Sequence, residues 1–451
     1  MYVPMKQIRS IFHLETPQYP VNEASSCATR EPKNLVRRLW LLLGPGFITG
    51  AADDDPSGIG TYSMAGAAFG FSMLWLALIT FPMMAVVQFI CAKIGMVTGL
   101  GLTDVIKTHY AQKWLYVAVF ALFIANSINV GADLGAMAST INLFCPQLPV
   151  WLLIVPITII LLALQIFGSY GLIARVFKWS ALALFSYVAA SFFVHPQAAE
   201  VLKGTFVPTF QFNVPFMSTI VAILGTTISP YLFFWQADQE VEEEIRLGNK
   251  HLRQRQGATN SALRQRRWDV VAGMFFSNLI MYFIMLTTGA TLFSSGHHDI
   301  NTASEAALAL RPMAGDMAYV LFGLGVIGTG VLAIPVLASS ASYAVAQAFG
   351  WKHGLRRKFI RAKGFYAIMA ISMLLGMLIN FVGINPLDAL FWTAVLNGLL
   401  APPLLILIML ISNNKKIMGE HKNGAATNFI GWMTTLLMFA AAIGLTLSFQ
   451  H

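Results

Sequence analysis

Three consecutive aspartates, Asp53, Asp54 and Asp55, stand inside an apolar stretch that is long enough to cross a membrane. A charged side chain at membrane depth costs about 2.5 kcal/mol or more, so such residues face the protein interior or a water-filled cavity. Pro56 cannot donate a backbone hydrogen bond, and it disfavours helical geometry in the residue before it. Gly58 tolerates an open backbone two residues later. The pattern predicts an unwound segment against protein or a wet cavity.

A second apolar stretch is interrupted in a similar way. Its sequence VAILGTTISPYLFFWQADQE contains the small, polar or helix-breaking residues Gly225, Thr226, Thr227, Ser229 and Pro230. One proline alone would indicate a simple kink, but these two stretches begin two halves of five predicted helices each. Broken helices at corresponding places in two halves are the best sequence indication of a transporter's central binding site.

The residue types at the two breaks favour a hard cation. Asp55 supplies negative charge, and the half-helix ends supply free carbonyl oxygens. Together with Ser and Thr hydroxyls, these oxygen ligands suit magnesium, calcium or manganese. Neither break contains Cys, His or Met. A soft, thiophilic metal is therefore not favoured.

Composition places these breaks in a polytopic membrane protein. Of the 451 residues, 57% are hydrophobic and only 11% are charged, whereas ordinary globular domains have about 25% charged residues. The mean hydropathy is +0.66. These values disfavour a soluble enzyme, a nucleic-acid binder and a disordered scaffold.

Eleven stretches approach the roughly 20 apolar residues that one membrane-spanning helix needs. They lie near 39–67, 71–94, 114–143, 149–168, 172–195, 214–236, 269–293, 317–347, 365–383, 387–411 and 428–448. Alternate loops hold 27 of the 29 Lys and Arg residues, and the opposite side holds only Lys203 and Arg311. Because basic loops stay in the cytoplasm, we expect a cytoplasmic N-terminus and, with an odd number of spans, an external C-terminus.

Two expectations concern polar residues outside the breaks. Residues 237–268 read as a solvated cytoplasmic loop, in which the run Glu240, Glu242, Glu243 and Glu244 forms the charged face of a helix end. Such a run could alternatively bind cations. Gln347 and Asn397 lie in later spans, and we expect them to form hydrogen bonds between helices.

The chain from about residue 40 resembles the natural resistance-associated macrophage protein family. Asp55-Pro56-Ser57-Gly58 resembles the family's DPGN motif, and the second break resembles its GATVMPH-type segment. GFSMLWLALITFPMMAVVQFICAKIGMVTGLGL is similar to its second span and following loop, and NKKIMGEHKNG to an MG-containing cytoplasmic loop. The resemblance implies a leucine-transporter-like fold of two inverted five-helix repeats plus an eleventh helix. It also implies transport of divalent metals, usually manganese or iron together with protons.

Departures from the family pattern alter the implied ligands. Asp55 matches the metal-binding Asp, but the metal-binding Asn falls on Gly58 and the Met ligand falls on Ser229. The residue that lends its carbonyl is Thr226, and Tyr231 replaces a His. The thioether is thus absent and the pocket should be wider. Since Mg²⁺ dehydrates reluctantly and keeps several waters, this pattern is similar to that of the magnesium-transporting branch.

The third span bears on proton coupling. Where family members carry an Asp and a Glu for protons, an ungapped alignment places Asn129 and Ala132. Asp133 lies one residue beyond, and one residue turns a side chain by about 100° on a helix. We therefore expect proton coupling to be weak or absent. Alternatively, Asp133 does the same work in a shifted alignment.

These observations predict a plasma-membrane importer of divalent cations. We expect Mg²⁺ transport with Mn²⁺ tolerated, by alternating access around Asp55, Gly58, Thr226 and Ser229, with Asp54 in the outer hydration shell. Tyr231, Asn129 and Asp133 are candidate pathway residues. The alternatives are proton-coupled manganese or iron transport and symport of amino acids or organic cations.

The predicted organisation is a cytoplasmic tail, 1–34, and one transporter domain, 35–451. Its first repeat covers about 39–195, its second about 214–411, and the extra helix about 428–448. We expect no enzymatic activity, no cofactor other than the transported ion, no nucleic acid and no obligate protein partner beside the lipid bilayer.

Overall fold

The computed structural model describes residues 44–167, 188–189, 191–193, 196–311 and 315–450, and over these residues it is helical with no β-strand. The helices are α1 (Pro45–Asp53), α2 (Pro56–Phe69), α3 (Trp75–Thr98), α4 (Leu102–His109), α5 (Gln112–Phe144), α6 (Val150–Phe167), α7 (Ala198–Phe206), α8 (Val214–Thr227), α9 (Pro230–Arg246), α10 (Leu252–Arg255), α11 (Asn260–Thr288), α12 (Ala303–Leu308), α13 (Ala318–Ala348), α14 (Lys363–Ile379), α15 (Pro386–Asn413), α16 (Lys415–Met418) and α17 (Ala425–Ser448).

Nine helical segments among the described residues are long and apolar enough to span a membrane. They match all the predicted spans except the first and the fifth. The first span is present as the two short helices α1 and α2, and the stretch 172–195 lies mostly outside the described residues. The predicted tail, 1–34, also lies outside them.

Both predicted breaks are present and are built in the same way. α1 ends at Asp53, and Asp54 leaves helical geometry with ψ of 55° before Pro56 starts α2. α8 ends at Thr227, and Ile228 leaves it with ψ of 56° before Pro230 starts α9. Proline is pre-organised for a first helical turn, where its missing N–H is not needed. At each break, one helix therefore ends and a proline begins the next helix.

The broken helices pack against long, continuous ones. α1 lies along α11, and α8 lies along α15; the two continuous helices α5 and α13 also pack against each other. The backbones of α1 and α11 approach closely at Gly50 and Gly273. A Cβ on Gly50 would clash with the Gly273 carbonyl. This packing fixes the position of the first break against α11.

Residues 237–268 form the expected solvated loop only in part: most residues of 246–262 are exposed, but the expected solvated face was wrong for Glu240 and Glu242. α9 continues to Arg246, and Glu240 and Glu242 are only 2% and 9% exposed. They are buried because side chains from other elements partner them, among them Arg266 of α11. The predicted bond between helices is present at Gln347, whose Nε2 donates to Asp238 Oδ1 at 2.5 Å; Asn397 is buried on α15.

Three basic segments, at Lys107, 246–267 and 352–363, lie at one end of the helical bundle. We call this the basic end. Gly257 N donates to the Val97 carbonyl at 2.9 Å, and Lys107 Nζ donates to the Gln347 carbonyl at 3.1 Å. Asp104 of α4 lies in this region, and burial raises the pKa of its carboxyl above the ordinary value. α9, which begins directly after the second break, runs toward this end.

Candidate metal centre at the helix breaks

Asp55 is held at the start of α2 by its own helix. Its Oδ1 accepts a hydrogen bond from Gly58 N at 2.7 Å, which caps the free amides of the first turn. Tyr231 of α9 donates from its hydroxyl to the Ala52 carbonyl at 2.9 Å and lies 3.4 Å from Asp55 Oδ2. Asp55 is 1% exposed. The carboxylate therefore lies where the first and second breaks meet, and Tyr231 links the two.

Gly58 faces the second break. A Cβ placed on Gly58 would lie 3.2 Å from Thr226 Oγ1 and 3.2 Å from Tyr62 Cε2. The Thr226 and Tyr62 hydroxyls are both buried and interact with each other, and neither has a close hydrogen bond to any other described residue. The space next to Gly58 is thus bordered by two hydroxyl groups that are able to bind a water or a cation.

Ser229 caps the break from the other side. Its hydroxyl approaches two carbonyl oxygens of the preceding turn, Gly225 O at 2.9 Å and Thr226 O at 2.7 Å. In this conformation the Thr226 carbonyl, a predicted ligand, accepts this bond. A carbonyl oxygen has a second lone pair, so the bond leaves room for one further interaction.

Asp54 points away from this centre. Together with Asp53 it faces α11, where the Ser277 hydroxyl lies 2.7 Å from Asp53 Oδ2 and 3.1 Å from Asp54 Oδ1. The structure thus brings Asp55, Gly58, Thr226, Ser229 and Tyr231 together, but it places Asp54 on another face of the break.

Two polar residues of α5 approach the break from a third direction. Asn129 and Asp133 are fully buried, one helical turn apart, and no described side chain forms a hydrogen bond with either of them. Asp133 interacts electrostatically with Asp55, and the Ser57 amide lies nearby. The one-residue shift from the family's Glu position therefore does not carry Asp133 away from the centre.

Tyr62 and Ser277 are the residues near the site that sequence reasoning missed. Tyr62 lies one turn after Gly58, so a helical projection could have placed it beside the break. Ser277 stands next to Asn278 in an apolar span, which is a signal for a polar contact but not for its partner. Its role depends on how α11 is rotated against α1.

The centre is closed and rich in oxygen. Asp55, Thr226, Ser229 and Tyr231 are each at most 2% exposed. Among the described residues, no group of three or more His, Cys, Asp and Glu side chains is placed to hold a metal ion. A cation at Asp55 would accordingly be held by one carboxylate together with hydroxyl, carbonyl and water oxygens.

An all-helical bundle with two paired helix breaks around a buried acidic centre defines a membrane transporter of the broken-helix type. Comparison with known proteins agrees with this class. A family model described as natural resistance-associated macrophage protein-like matches residues 46–448. The chain belongs to this family, which is one of membrane transporters rather than enzymes.

Named relatives and solved structures support the same assignment. The chain is 27% identical over 415 residues to the divalent metal cation transporter MntH of Klebsiella pneumoniae subsp. pneumoniae, covering 91% of this chain and 94% of the relative. The manganese transporter of Eremococcus coleocola has a TM-score of 0.68 at 16% identity, with 93% and 88% of the two chains covered.

A more distant neighbour shares the fold. It is a nucleobase-cation-symport-1 family transporter in a closed conformation with bromovinylhydantoin bound, with a TM-score of 0.58 at 14% identity and 90% of each chain covered. These likenesses confirm the expected leucine-transporter-like fold.

Proposed function

We propose that this protein imports divalent cations, with Mg²⁺ as the main substrate and Mn²⁺ tolerated. The observation that carries the proposal is the position of Asp55 at the meeting of both breaks, among oxygen groups alone: the Thr226 hydroxyl borders the same space and the Tyr231 hydroxyl lies 3.4 Å away. The names of the Klebsiella and Eremococcus relatives support a divalent metal as cargo.

The small residues at the breaks favour a hydrated ion. Gly58 has no side chain, and the Ser229 hydroxyl is turned back toward its own helix. Mg²⁺ binds at short distances but gives up its waters reluctantly, so it usually keeps several of them. In our proposal the ligands are Asp55, the Gly58 backbone, Thr226 and Ser229. Asp54, which the sequence predicted in the outer hydration shell, faces α11 in this structure and is not part of this set.

The membrane potential supplies the driving force. Moving one elementary charge inward is worth about 2.3 kcal/mol per 100 mV, and a divalent ion carries two such charges. Transport then requires no proton, and we propose that coupling is weak or absent. We propose that α1, α2, α8 and α9 move relative to the other helices, because these are the half-helices adjoining the two breaks.

One observation favours a second candidate, proton-coupled transport of manganese or iron. Asp133 interacts electrostatically with Asp55, and its carboxylate has no described partner other than the Ser57 amide. A buried carboxylate next to a metal-binding one is suited to take up a proton when the metal leaves. Asn129, one turn away, and Tyr231 would line the same path.

The proposed organisation follows the two breaks. One transporter domain, 35–451, contains two inverted repeats, about 39–195 and about 214–411, and the extra helix α17. The relative from Klebsiella supports a plasma-membrane location. We propose a cytoplasmic N-terminus and an external C-terminus from the charge pattern of the loops.

Flux into proteoliposomes tests the proposal. Purified protein is reconstituted, an inside-negative potential is applied, and Mg²⁺ or Mn²⁺ is added outside with separate dyes for the ion and for internal pH. Mg²⁺ entry without acidification is the expected result. Mn²⁺ entry with acidification and no Mg²⁺ signal would replace it with the proton-coupled alternative, and absence of flux for either ion would overturn both.

A further inference from the structure

The segment 352–363 connects α13 to α14 at the basic end, and its charge is of one sign. It contains six Lys and Arg residues, and no Asp or Glu occurs anywhere from 317 to 387. The other long basic segment at this end, 246–267, has acids beside it in the chain, among them Glu243, Glu244 and Asp269. The positive charge of 352–363 is therefore not balanced by its own part of the chain.

Most of these cations also have no acidic partner from other helices. Arg356 lies 3.9 Å from Glu242 of α9. Within the part of the chain that the structure describes, the ion pairs include none of the other five, which are all exposed: Lys352, Arg357, Lys358, Arg361 and Lys363. The segment thus presents a positive surface that is available to an anionic partner.

Two apolar side chains are exposed in the middle of this positive surface. Phe359 is 44% exposed and Ile360 is 76% exposed, and they stand between Lys358 and Arg361 in the chain. Segments that lie in a membrane interface have this composition, because their apolar groups enter the acyl boundary while Lys and Arg stay at the headgroups. The pattern favours a lipid surface over a soluble anion, which has no use for the apolar pair.

Aromatic contacts place the segment at the level where α14 enters the membrane. The rings of Phe359 and Tyr366, which belongs to the first turn of α14, have centroids 5.9 Å apart. Trp351 stacks on Phe349 at 5.3 Å and lies against α14 at Gly364. Aromatic side chains are enriched at the boundary between membrane and water. The segment therefore lies at headgroup level.

Hydrogen bonds to the bundle hold the segment in this orientation. The Tyr366 hydroxyl donates to the Arg357 carbonyl at 2.8 Å, and Leu355 N donates to the Tyr343 hydroxyl at 3.1 Å. Arg361 N donates to the Lys358 carbonyl at 2.8 Å, which closes a turn around the apolar pair. The exposure of this pair is thus part of the fold, and a surface that is already ordered loses little conformational entropy on binding.

We propose that residues 356–361 bind anionic phospholipid headgroups, with Phe359 and Ile360 inserted between the lipids. The leaflet is the one at the basic end, which is cytoplasmic in the proposed orientation. Each Lys or Arg near an anionic membrane surface strengthens binding about fivefold, and guanidinium groups such as that of Arg361 pair with phosphate through two hydrogen bonds. The inference concerns the membrane and goes beyond the proposed transport of an ion.

The depth of a nitroxide label at position 360 tests the proposal. Ile360→Cys is combined with Cys27→Ser and Cys145→Ser, because the remaining Cys91 is buried. The full chain is placed in nanodiscs of phosphatidylcholine alone or of an equimolar mixture with phosphatidylglycerol. In the mixed bilayer we expect the label to be about fivefold less accessible to a water-soluble nickel relaxation agent and more accessible to oxygen. High salt should reduce this difference, because it screens the headgroup charge.

Charge-removing variants assign the effect to this segment. Arg357→Gln, Lys358→Gln and Arg361→Gln together should abolish the difference between the two bilayers. The matched control removes three exposed cations from the loop between α15 and α17, where the neighbouring Met418 is buried; its substitutions are Lys415→Gln, Lys416→Gln and Lys422→Gln. The control should keep the difference. The salt measurement uses the unaltered charges, so it covers the case in which the triple variant fails to fold.

Three outcomes contradict the proposal. A label that is equally open to the nickel agent in both bilayers shows that the apolar pair does not insert. A label that is equally protected in both shows insertion without recognition of anionic headgroups. An equal loss in the control variant shows that anionic lipid responds to the overall charge of the protein rather than to residues 356–361. None of these readouts involves ion flux, so the proposed transport function is tested separately by the proteoliposome experiment.

Discussion

The carboxylates near the first break and those near the C-terminal end of α9 are similarly buried, but they differ in the groups that offset their buried charge. On α9, Glu240 lies 2.9 Å from Arg266 and accepts from Gln236 at 2.8 Å. Glu242 accepts from the Tyr343 hydroxyl at 2.8 Å. At the break, Asp53, Asp54, Asp55 and Asp133 have no basic partner among the described residues, and their hydrogen bonds come from hydroxyl groups and backbone amides.

This difference distinguishes ion pairs that stabilise the fold from acidic groups that could bind a proton or a cation reversibly. A buried carboxylate with a permanent cationic partner is satisfied in every state in which the partner stays in place. One without a cationic partner can be neutralised by a proton or by a cation that binds and leaves. Buried acids of the first kind hold helices together, and we propose that those of the second kind bind the transported ion.

Arg266 shows how the paired region holds α1. Its guanidinium lies 2.7 Å from Asp269 Oδ2 as well as beside Glu240. Asp269 in turn accepts from Gly44 N and Gly46 N, both at 2.9 Å, and so caps the start of α1. Three carboxylate and guanidinium groups thereby join α1, α9 and α11 at the basic end. Opening this end requires the bonds between α1 and Asp269 to break.

The largest expected effect is that of Asp55→Asn. The substitution keeps the shape of the side chain and its capping bond but removes the charge that attracts the ion. We expect divalent flux to fall below detection in proteoliposomes while the protein still elutes as a folded species from size-exclusion chromatography. Asp388→Asn, at an exposed position on α15, is the control. Normal flux in Asp55→Asn would remove this residue from the site.

Next in size is the effect of Arg266→Met on stability. Removing one partner of a buried ion pair leaves its carboxylates uncompensated and costs about 3–5 kcal/mol. The midpoint of thermal unfolding in detergent should fall markedly, with Mn²⁺ binding per folded molecule unchanged. A variant of unaltered stability would mean that Glu240 and Asp269 do not depend on this guanidinium, and the contrast between the two regions would fail.

The positions of the helix breaks were predictable from local sequence, whereas the side chains that contact the buried acids were not. Proline restricts the backbone of its own segment and glycine allows it to leave the helix, so the end of α1 at Asp53 and the start of α9 at Pro230 follow from the sequence. The burial of Glu240 depends on Arg266, and the orientation of Asp54 depends on Ser277. These contacts are set by the rotation and packing of helices distant in sequence, which an apolar pattern leaves undetermined.

A smaller, selective effect is expected for Gly58→Asn. An added side chain enters the space between Thr226 Oγ1 and Tyr62, which lie 3.2 Å from a Cβ at this position. It should displace water from a hydrated ion and favour an ion that sheds its waters more readily. We expect the Mg²⁺ to Mn²⁺ flux ratio to fall about tenfold. A ratio that stays constant would show that Gly58 does not determine the width of the pocket.

Thr226→Val distinguishes an unpartnered hydroxyl from a bonded one. The Thr226 hydroxyl has no described partner other than the Tyr62 hydroxyl, so its loss should change stability little while Mn²⁺ affinity falls about two- to tenfold. Thr227→Val is the matched control, since that hydroxyl donates to the Ile223 carbonyl at 2.8 Å. The control should lose stability and keep its affinity. The reverse outcome would assign the ion-facing role to Thr227.

The smallest effect is expected at the far end of α9, in Arg246→Met. Arg246 also pairs with a glutamate, Glu243, but the two side chains are 51% and 22% exposed. Water screens such a pair, and exposed pairs contribute at most about 1 kcal/mol. Thermal unfolding should therefore change little, in contrast to Arg266→Met on the neighbouring helix. If both arginine variants lost equal stability, burial would not explain why the Arg266 ion pair stabilises the fold. The difference between acids with and without a cationic partner would then need another explanation.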